Sequence, residues 1–276
     1  MQKEEQWLLD EKYHGKSTAG FKKDLARIKA GEPLDYIIGF TEFLGCKIDL
    51  SKKPLIPRFE TEYWTEQVIE ELKVDKVRKV YKVLDIFSGS GAIGISIVRN
   101  VINFSSEKFK RSSNVKFQRN LYVATSKNIH MAFADSEKNC VEQIKINCKI
   151  NKLKKLQYEI IRSDVFENIA GKFDIIVANP PYIPAKNKHK VQQSALDHEP
   201  HVSLFGKDDG LFYITKFLEG APAHLEKTGT LYMEFDSHQK PAIAKLLKKY
   251  GYQQFMFHKD QYQRWRYLKA YCYPQK

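Results

Sequence analysis

From about residue 80 onward the chain alternates short apolar runs with stretches of helix length, and this rhythm constrains its fold more than any other feature. Val80–Ile86, Ile129–Ala134, Tyr158–Ile161, Phe173–Ala178 and Thr230–Phe235 have the length and apolar content of strands. Ala92–Val101, Ser136–Asn151 and Gly210–Leu225 lie between them and read as helices. Strands without a polar face need cover on both sides, and helices between them supply it. The expectation is an α/β fold built on a doubly wound, mostly parallel, seven-stranded sheet. Gln254–His258 and Arg266–Tyr273 flank a polar turn and predict a closing β-hairpin.

The first third of the chain has another character. Residues 1–31 read as a short helical segment, with Phe21, Leu25 and Ile28 on one stripe and Gly31-Glu32-Pro33 as its stop. Residues 32–60 carry Gly39, Gly45, Pro54 and Pro57 between small apolar clusters, as in a hairpin or irregular connector. Val68, Ile69 and Leu72 mark a further helix, so the main α/β domain is placed at 61–276. Within it, residues 103–120 are polar, basic and aperiodic and read as an inserted loop.

The polar N-terminus is no signal peptide, and no apolar run is long enough to cross a bilayer, so the expected location is cytoplasmic without membrane contact. Cys46, Cys140, Cys148 and Cys272 show no CxxC spacing and no His-rich partner; they read as reduced thiols, and no metal site is expected. The net charge of +13 would suit a polyanion such as RNA or a ribosome-associated partner, or it is a solvated lysine-rich surface. The cations concentrate in residues 99–128, against the single acid Glu107, and from Lys245 onward, where Asp260 is the lone acid.

Two segments carry chemistry. Val83-Leu84-Asp85-Ile86-Phe87-Ser88-Gly89-Ser90-Gly91 lies where a strand hands over to a helix. Glycines there allow close approach to a ligand, and the carboxyl ends of strands are where a doubly wound sheet binds one. Asp135 and Asp164 follow the next two strands; the first could accept from a ribose diol and the second could meet an adenine, or each caps a turn. The absence of a Walker lysine disfavours nucleoside triphosphate chemistry.

The second segment, Asn179-Pro180-Pro181-Tyr182, ends an apolar strand. Consecutive prolines stop ladder pairing and hold the backbone rigid. An amide or exocyclic amine is a poor nucleophile because its lone pair is delocalised. The Asn179 side-chain oxygen and the Pro180 carbonyl can both accept from one NH2 group, aiming its lone pair at an electrophilic methyl and stabilising charge that grows on nitrogen. Tyr182 can stack on the planar target, and no strong base is needed.

These residues resemble class I methyltransferases acting on planar nitrogen. A narrower resemblance is carried by Gly31-Glu32-Pro33-Leu34-Asp35-Tyr36-Ile37-Ile38-Gly39, by Glu42-Phe43 and by Leu55-Ile56-Pro57-Arg58-Phe59-Glu60-Thr61-Glu62. With Asn179–Pro184, Glu199-Pro200, Asp209-Gly210-Leu211 and the Glu234…Gln239 spacing, they resemble the HemK/PrmC family of release factor glutamine methyltransferases. The resemblance implies a Rossmann-like class I fold, S-adenosylmethionine as cofactor and N5-methylation of the glutamine in the GGQ loop of a peptide chain release factor, the protein partner. It implies that Asn179, Pro180 and Tyr182 are catalytic, and that Pro181, Pro57 and Arg58 join them in holding the substrate. Asp85, Phe87, Gly89, Gly91, Asp135, Asp164 and Asn179 would line the cofactor. Phe87 departs from the family's usual Gly, Phe59 from its Pro and Asp236 from its Gly, and the segment before Gly31 is shorter than the family's N-terminal domain. A nucleic-acid amino-methyltransferase, a ribosomal-protein glutamine methyltransferase and a non-enzymatic binding protein are the alternatives.

Overall fold

The computed structural model describes residues 3–74, 80–111 and 128–273. The N-terminal segment is two helices rather than one, α1 (Lys3–Glu11) and α2 (Ala19–Lys29), followed by the short α3 (Leu34–Ile38). Thr18 caps α2, its hydroxyl accepting from Phe21 N at 3.2 Å. Leu8, Phe21 and Ile37 form a small satellite core. Asp24 ties the helices together by accepting from Lys12 and Tyr13, each at 2.7 Å, and from Arg27 at 2.7 Å. Those donors hold its carboxyl down at about 2, against the burial that would raise it.

The connector is a hairpin, β1 (Phe40–Phe43) and β2 (Cys46–Asp49), and α4 (Phe59–Val74) begins two residues before the boundary drawn at 61. The main sheet follows. β3 (Val80–Ile86), β4 (Asn128–Asp135), β5 (Tyr158–Arg162), β6 (Phe173–Ala178) and β7 (Leu225–Glu234) are parallel. The hairpin of β8 (Gln254–Lys259) and β9 (Trp265–Tyr271) closes the sheet, β9 lying antiparallel between β7 and β8, in the order β5-β4-β3-β6-β7-β9-β8. The doubly wound, mostly parallel seven-stranded sheet expected from the alternation is the one observed.

Period two explains how both faces are buried. Val83, Met131, Phe133, Ile175 and Val177 join a core with α4, α5 (Ala92–Arg111) and α6 (Lys138–Ile150). Their neighbours Leu84, Ile86, Ala132, Ala134, Ile176 and Ala178 join the opposite core, with α9 (Phe212–His224) and α10 (Lys240–Lys249). Between β6 and α9 lie the short helices α7 (Gln193–His198) and α8 (His201–Leu204). Helix α5 runs on to Arg111, so the first half of the segment read as a loop at 103–120 is helical; the remainder lies outside the described residues. Among the described residues no helix is long and apolar enough to cross a membrane.

Two features of this topology place the site. The chain steps outward from β3 to β4 to β5, then crosses back to lay β6 on the other side of β3. Ile86 pairs in register with Ala178, so Phe87 and Asn179 leave the sheet side by side at the switch point. The connector is then locked over that edge by α6 and its C-cap, where Gln143, Asn147 and Asn151 recur every fourth residue on one face. Gln143 bonds Lys52 N and Asp49, Asn147 bonds Asp49 N and the Ser90 carbonyl, and Asn151 bonds the Lys47 carbonyl, at 2.8–3.0 Å.

Candidate active site

Two clefts meet above the carboxyl ends of β3 and β6. The first is lined by Phe87–Ser90, Asp135–Glu137, Ser163–Val165 and Tyr213, together with Leu55–Arg58, Asn179 and Pro181. The second is lined by Pro180, Tyr182, Ile183, Val191, Gln192, Leu204 and Glu234. Leu55, Arg58, Asn179 and Ser203 border both. Asn179 thus lies where the two clefts adjoin.

The turn after β3 is built as a cradle. Phe87 has φ 59° and Gly89 φ 55°, both left-handed. At Gly89 a Cβ would stand in open space, so the missing side chain leaves the backbone free to be approached from the cleft. Phe87, where the family pattern has Gly, keeps the left-handed backbone despite its Cβ. Its ring is held edge-on by Tyr213 and Phe217, with centroids 5.9 Å and 6.2 Å away. Asp135 ends β4 and steadies the turn, accepting from Gly89 N at 2.8 Å and from Glu137 N at 2.9 Å. Burial pushes its carboxyl upward, and the two amides pull it back. Asp164 enters from the end of β5 and is paired with Lys216 of α9 at 2.8 Å.

Not every residue singled out in the sequence reaches the cavity. Asp85 points instead beneath the turn, fully buried, where its Oδ2 accepts from Gly94 N at 2.9 Å. Its Oδ1 has no hydrogen-bond partner, and burial pushes the carboxyl up to about 8. Gly91 is absent from the lining; a Cβ there would stand 3.2–3.4 Å from Ile95 and Ile144, so this glycine lets α5 approach α6. Pro57 and Pro181 border the first cleft and not the second.

The second cleft rests on a buried network. Glu234, at the end of β7, accepts from Thr61 Oγ1 at 2.6 Å, from Trp64 Nε1 at 2.8 Å and from the Tyr182 hydroxyl at 2.9 Å. Burial raises the Glu234 carboxyl, and these donors and the Arg266 charge oppose it. The Asn179 Nδ2 donates to Thr61 Oγ1 at 3.3 Å. Tyr182 keeps its proton, because burial and the facing Glu234 raise the phenol well above its ordinary value. On the backbone side, Gln239 donates to the carbonyls of Tyr182 and Gly210 at 3.0 Å and 3.1 Å. The wall at Leu55–Arg58 is pinned by buried Glu199, which accepts from Ile56 N at 3.1 Å and from Arg58 at 2.6 Å.

Thr61, Ser203, Glu137 and Tyr213 border the clefts without having been singled out. Thr61 stood inside the quoted Phe59–Glu62 match; the other three carry no local signal. Among the described residues no cluster of His, Cys, Asp and Glu is arranged to hold a metal ion.

Comparison with known proteins agrees with this geometry. Residues 120–202 match the model of the family described as "Methyltransferase small domain". The release factor glutamine methyltransferase of Flavobacterium psychrophilum is 32% identical over 250 residues, covering 89% of this chain and 78% of its own. That of Lactococcus lactis is 31% identical over 222 residues, covering 80% and 70%. Among solved structures, the hMettl16 catalytic domain in complex with a 3′UTR hairpin superposes with a TM-score of 0.58 at 13% identity, covering 84% of this chain and 77% of that one. A T. thermophilus 16S rRNA methyltransferase, solved with AdoMet and guanosine, has a TM-score of 0.53 at 18% identity, covering 84% and 49%. Those two likenesses establish the sheet architecture. With the identity to the curated relatives over most of its length, the chain belongs to the release factor glutamine methyltransferase family.

Proposed function

We propose that this protein transfers a methyl group from S-adenosylmethionine to the side-chain amide nitrogen of the glutamine in the GGQ loop of a peptide chain release factor. The observation that carries the reading is that Asn179, at the head of the Asn179–Tyr182 segment, borders both of two adjoining clefts. The first cleft suits the cofactor: open space at Gly89, carboxylates of Asp135 and Asp164 for hydroxyl and amine donors, and the Arg58 guanidinium on its border. When bound, S-adenosylmethionine supplies a methyl group on a positively charged sulfur. The chain's own residues do the rest. Asn179 Oδ1 and the Pro180 carbonyl accept the two amide hydrogens, orient the nitrogen and stabilise the positive charge that develops on it. Tyr182 borders the acceptor cleft and packs on the amide plane. The N–CH3 bond forms as the S–CH3 bond breaks, and the nitrogen then releases one proton.

Methyl transfer from labelled S-adenosylmethionine tests this, with release factor, its GGQ-to-GGA variant, and bulk DNA and RNA as acceptors. Label in the wild-type factor and none in the variant is the expected result. Label in nucleic acid alone would transfer the site to the amino group of a base.

A further inference from the structure

The chemistry above needs the oxygen of the Asn179 amide, not its nitrogen, to face the acceptor cleft. The two ends of a primary amide are nearly the same size, so shape does not decide which faces where. We propose that Thr61 sets the orientation of Asn179, as a positioning residue whose own proton is claimed by Glu234. The inference rests on the methyl-transfer reading of the site.

The argument is a count of protons. Every group that Glu234 meets in the network is a donor: the Thr61 hydroxyl and Trp64 Nε1 on Oε2, the Tyr182 hydroxyl on Oε1. The indole N–H can only donate and an ionised Glu234 can only accept, so with Glu234 as the carboxylate Oε2 takes its hydrogen bonds from both neighbours. At 2.6 Å the contact between Thr61 Oγ1 and Oε2 must contain a proton, and Thr61 has one to give. With that proton committed, Thr61 Oγ1 has only lone pairs left for the group on its other side, which is Asn179 at 3.3 Å. An amide oxygen there would meet lone pair against lone pair. The Asn179 nitrogen therefore turns toward Thr61, and its oxygen turns away. Trp64 and Thr61 lie three residues apart on α4, with the spacing that brings both over one carboxylate, and all three residues are buried. A wrong orientation would present N–H donors to a substrate NH2, which also donates, and the nitrogen would lose both its aim and its charge stabilisation.

Thr61→Val keeps the shape and removes the hydroxyl; Thr61→Ser keeps the hydroxyl. The expected result is a fall in kcat of roughly tenfold to a hundredfold in Thr61→Val, with cofactor affinity within about threefold of wild type, and recovery to within about threefold in Thr61→Ser. A second readout needs neither cofactor nor acceptor. In 15N-labelled protein, the Asn179 side-chain NH2 signals, identified by their loss in Asn179→Ala, should exchange slowly in wild type and in Thr61→Ser. They should exchange at the rate of a free amide in Thr61→Val. Unchanged exchange in Thr61→Val, or a kcat equal to wild type, would overturn the assignment of Thr61. Wild-type protein that methylates no release factor would overturn the functional reading, while the exchange measurement still decides what Thr61 does.

Discussion

Arg58 donates to Glu199 at 2.6 Å across 141 positions of sequence, and the pair stands where the two clefts adjoin. Glu199 is the buried partner and uses its second oxygen on Ile56 N, so one carboxylate fixes both the backbone and the guanidinium of this wall. In Glu199→Gln the amide oxygen can serve one of these donors, and the NH2 must face the other. The expected loss of stability is about 1–3 kcal/mol. Because the same guanidinium borders both spaces, Kd for the cofactor and KM for the acceptor should rise together. Titration calorimetry with initial-rate kinetics checks this; a rise in one alone would assign Arg58 to that side.

Phe87 should invert the usual effect of truncation. Its Cβ holds a left-handed backbone and its ring is packed by Tyr213 and Phe217. Phe87→Ala loses the ring and keeps the strain, whereas Phe87→Gly loses the ring and releases it. Strain of this kind is worth on the order of 1–3 kcal/mol, partly offset by the extra freedom of glycine in the unfolded chain. Urea denaturation should show the glycine variant at least as stable as the alanine variant, by up to about 1 kcal/mol. A less stable glycine variant would mean that the turn carries no strain.

The orphaned oxygen of Asp85 makes stability depend on pH. Burial places this carboxyl at about 8 in the folded protein, against roughly 4 in the unfolded chain. Between those values the native state holds a proton that the unfolded state has released, so stability falls as pH rises through the window, by up to about 1.4 kcal/mol per unit. Asp85→Asn cannot ionise and keeps an oxygen for Gly94 N–H. Urea midpoints of wild type and variant should lie close together near pH 4 and separate toward pH 8.5, with the variant the more stable. Parallel curves would show that Asp85 titrates elsewhere.

Gly210 has no space for a side chain. A Cβ there would lie 2.2 Å from the Tyr182 carbonyl oxygen and 2.9 Å from Gln239 Nε2, on a backbone with φ +77°. Gly210→Ala must push back the strand-end turn that presents Asn179 and Tyr182. Transfer should fall by more than tenfold while cofactor affinity changes little, since Gly210 does not border the first cleft, the one proposed for the cofactor. Equal losses in both would mean that the turn and the cofactor cradle move as one body.

The sheet was legible because its strands are apolar on both faces, a pattern that few other arrangements tolerate. The same period of two assigns Asp85 to the face of Val83 and α5 rather than to the strand end, yet residue type drew it into the cofactor set. Gly91 was misplaced for a related reason: a glycine at a turn answers either to a ligand or to a neighbouring helix, and here Ile144 of α6 is what comes close. Helix α10 went unread although Ile243, Leu246 and Leu247 carry helical spacing behind Pro241. The Asn179-Pro180-Pro181-Tyr182 segment was legible because two prolines at a strand end leave the backbone few options. The network beneath it was not, since Thr61, Tyr182 and Glu234 meet only through contacts spanning 52 to 173 positions.

Two adjoining clefts, with Asn179 on the border of each, also bear on the order of events in turnover. Among the described residues bordering either cleft there is no cysteine, histidine or lysine that could hold a methyl group between two half-reactions. Cys140, close to Asp135, is buried, and burial and that carboxylate push its thiol upward, away from the thiolate a carrier would need. Donor and acceptor must then occupy their clefts at the same moment. Double-reciprocal plots at several fixed acceptor concentrations should intersect rather than run parallel, and either product should inhibit while bound on its own side of Asn179.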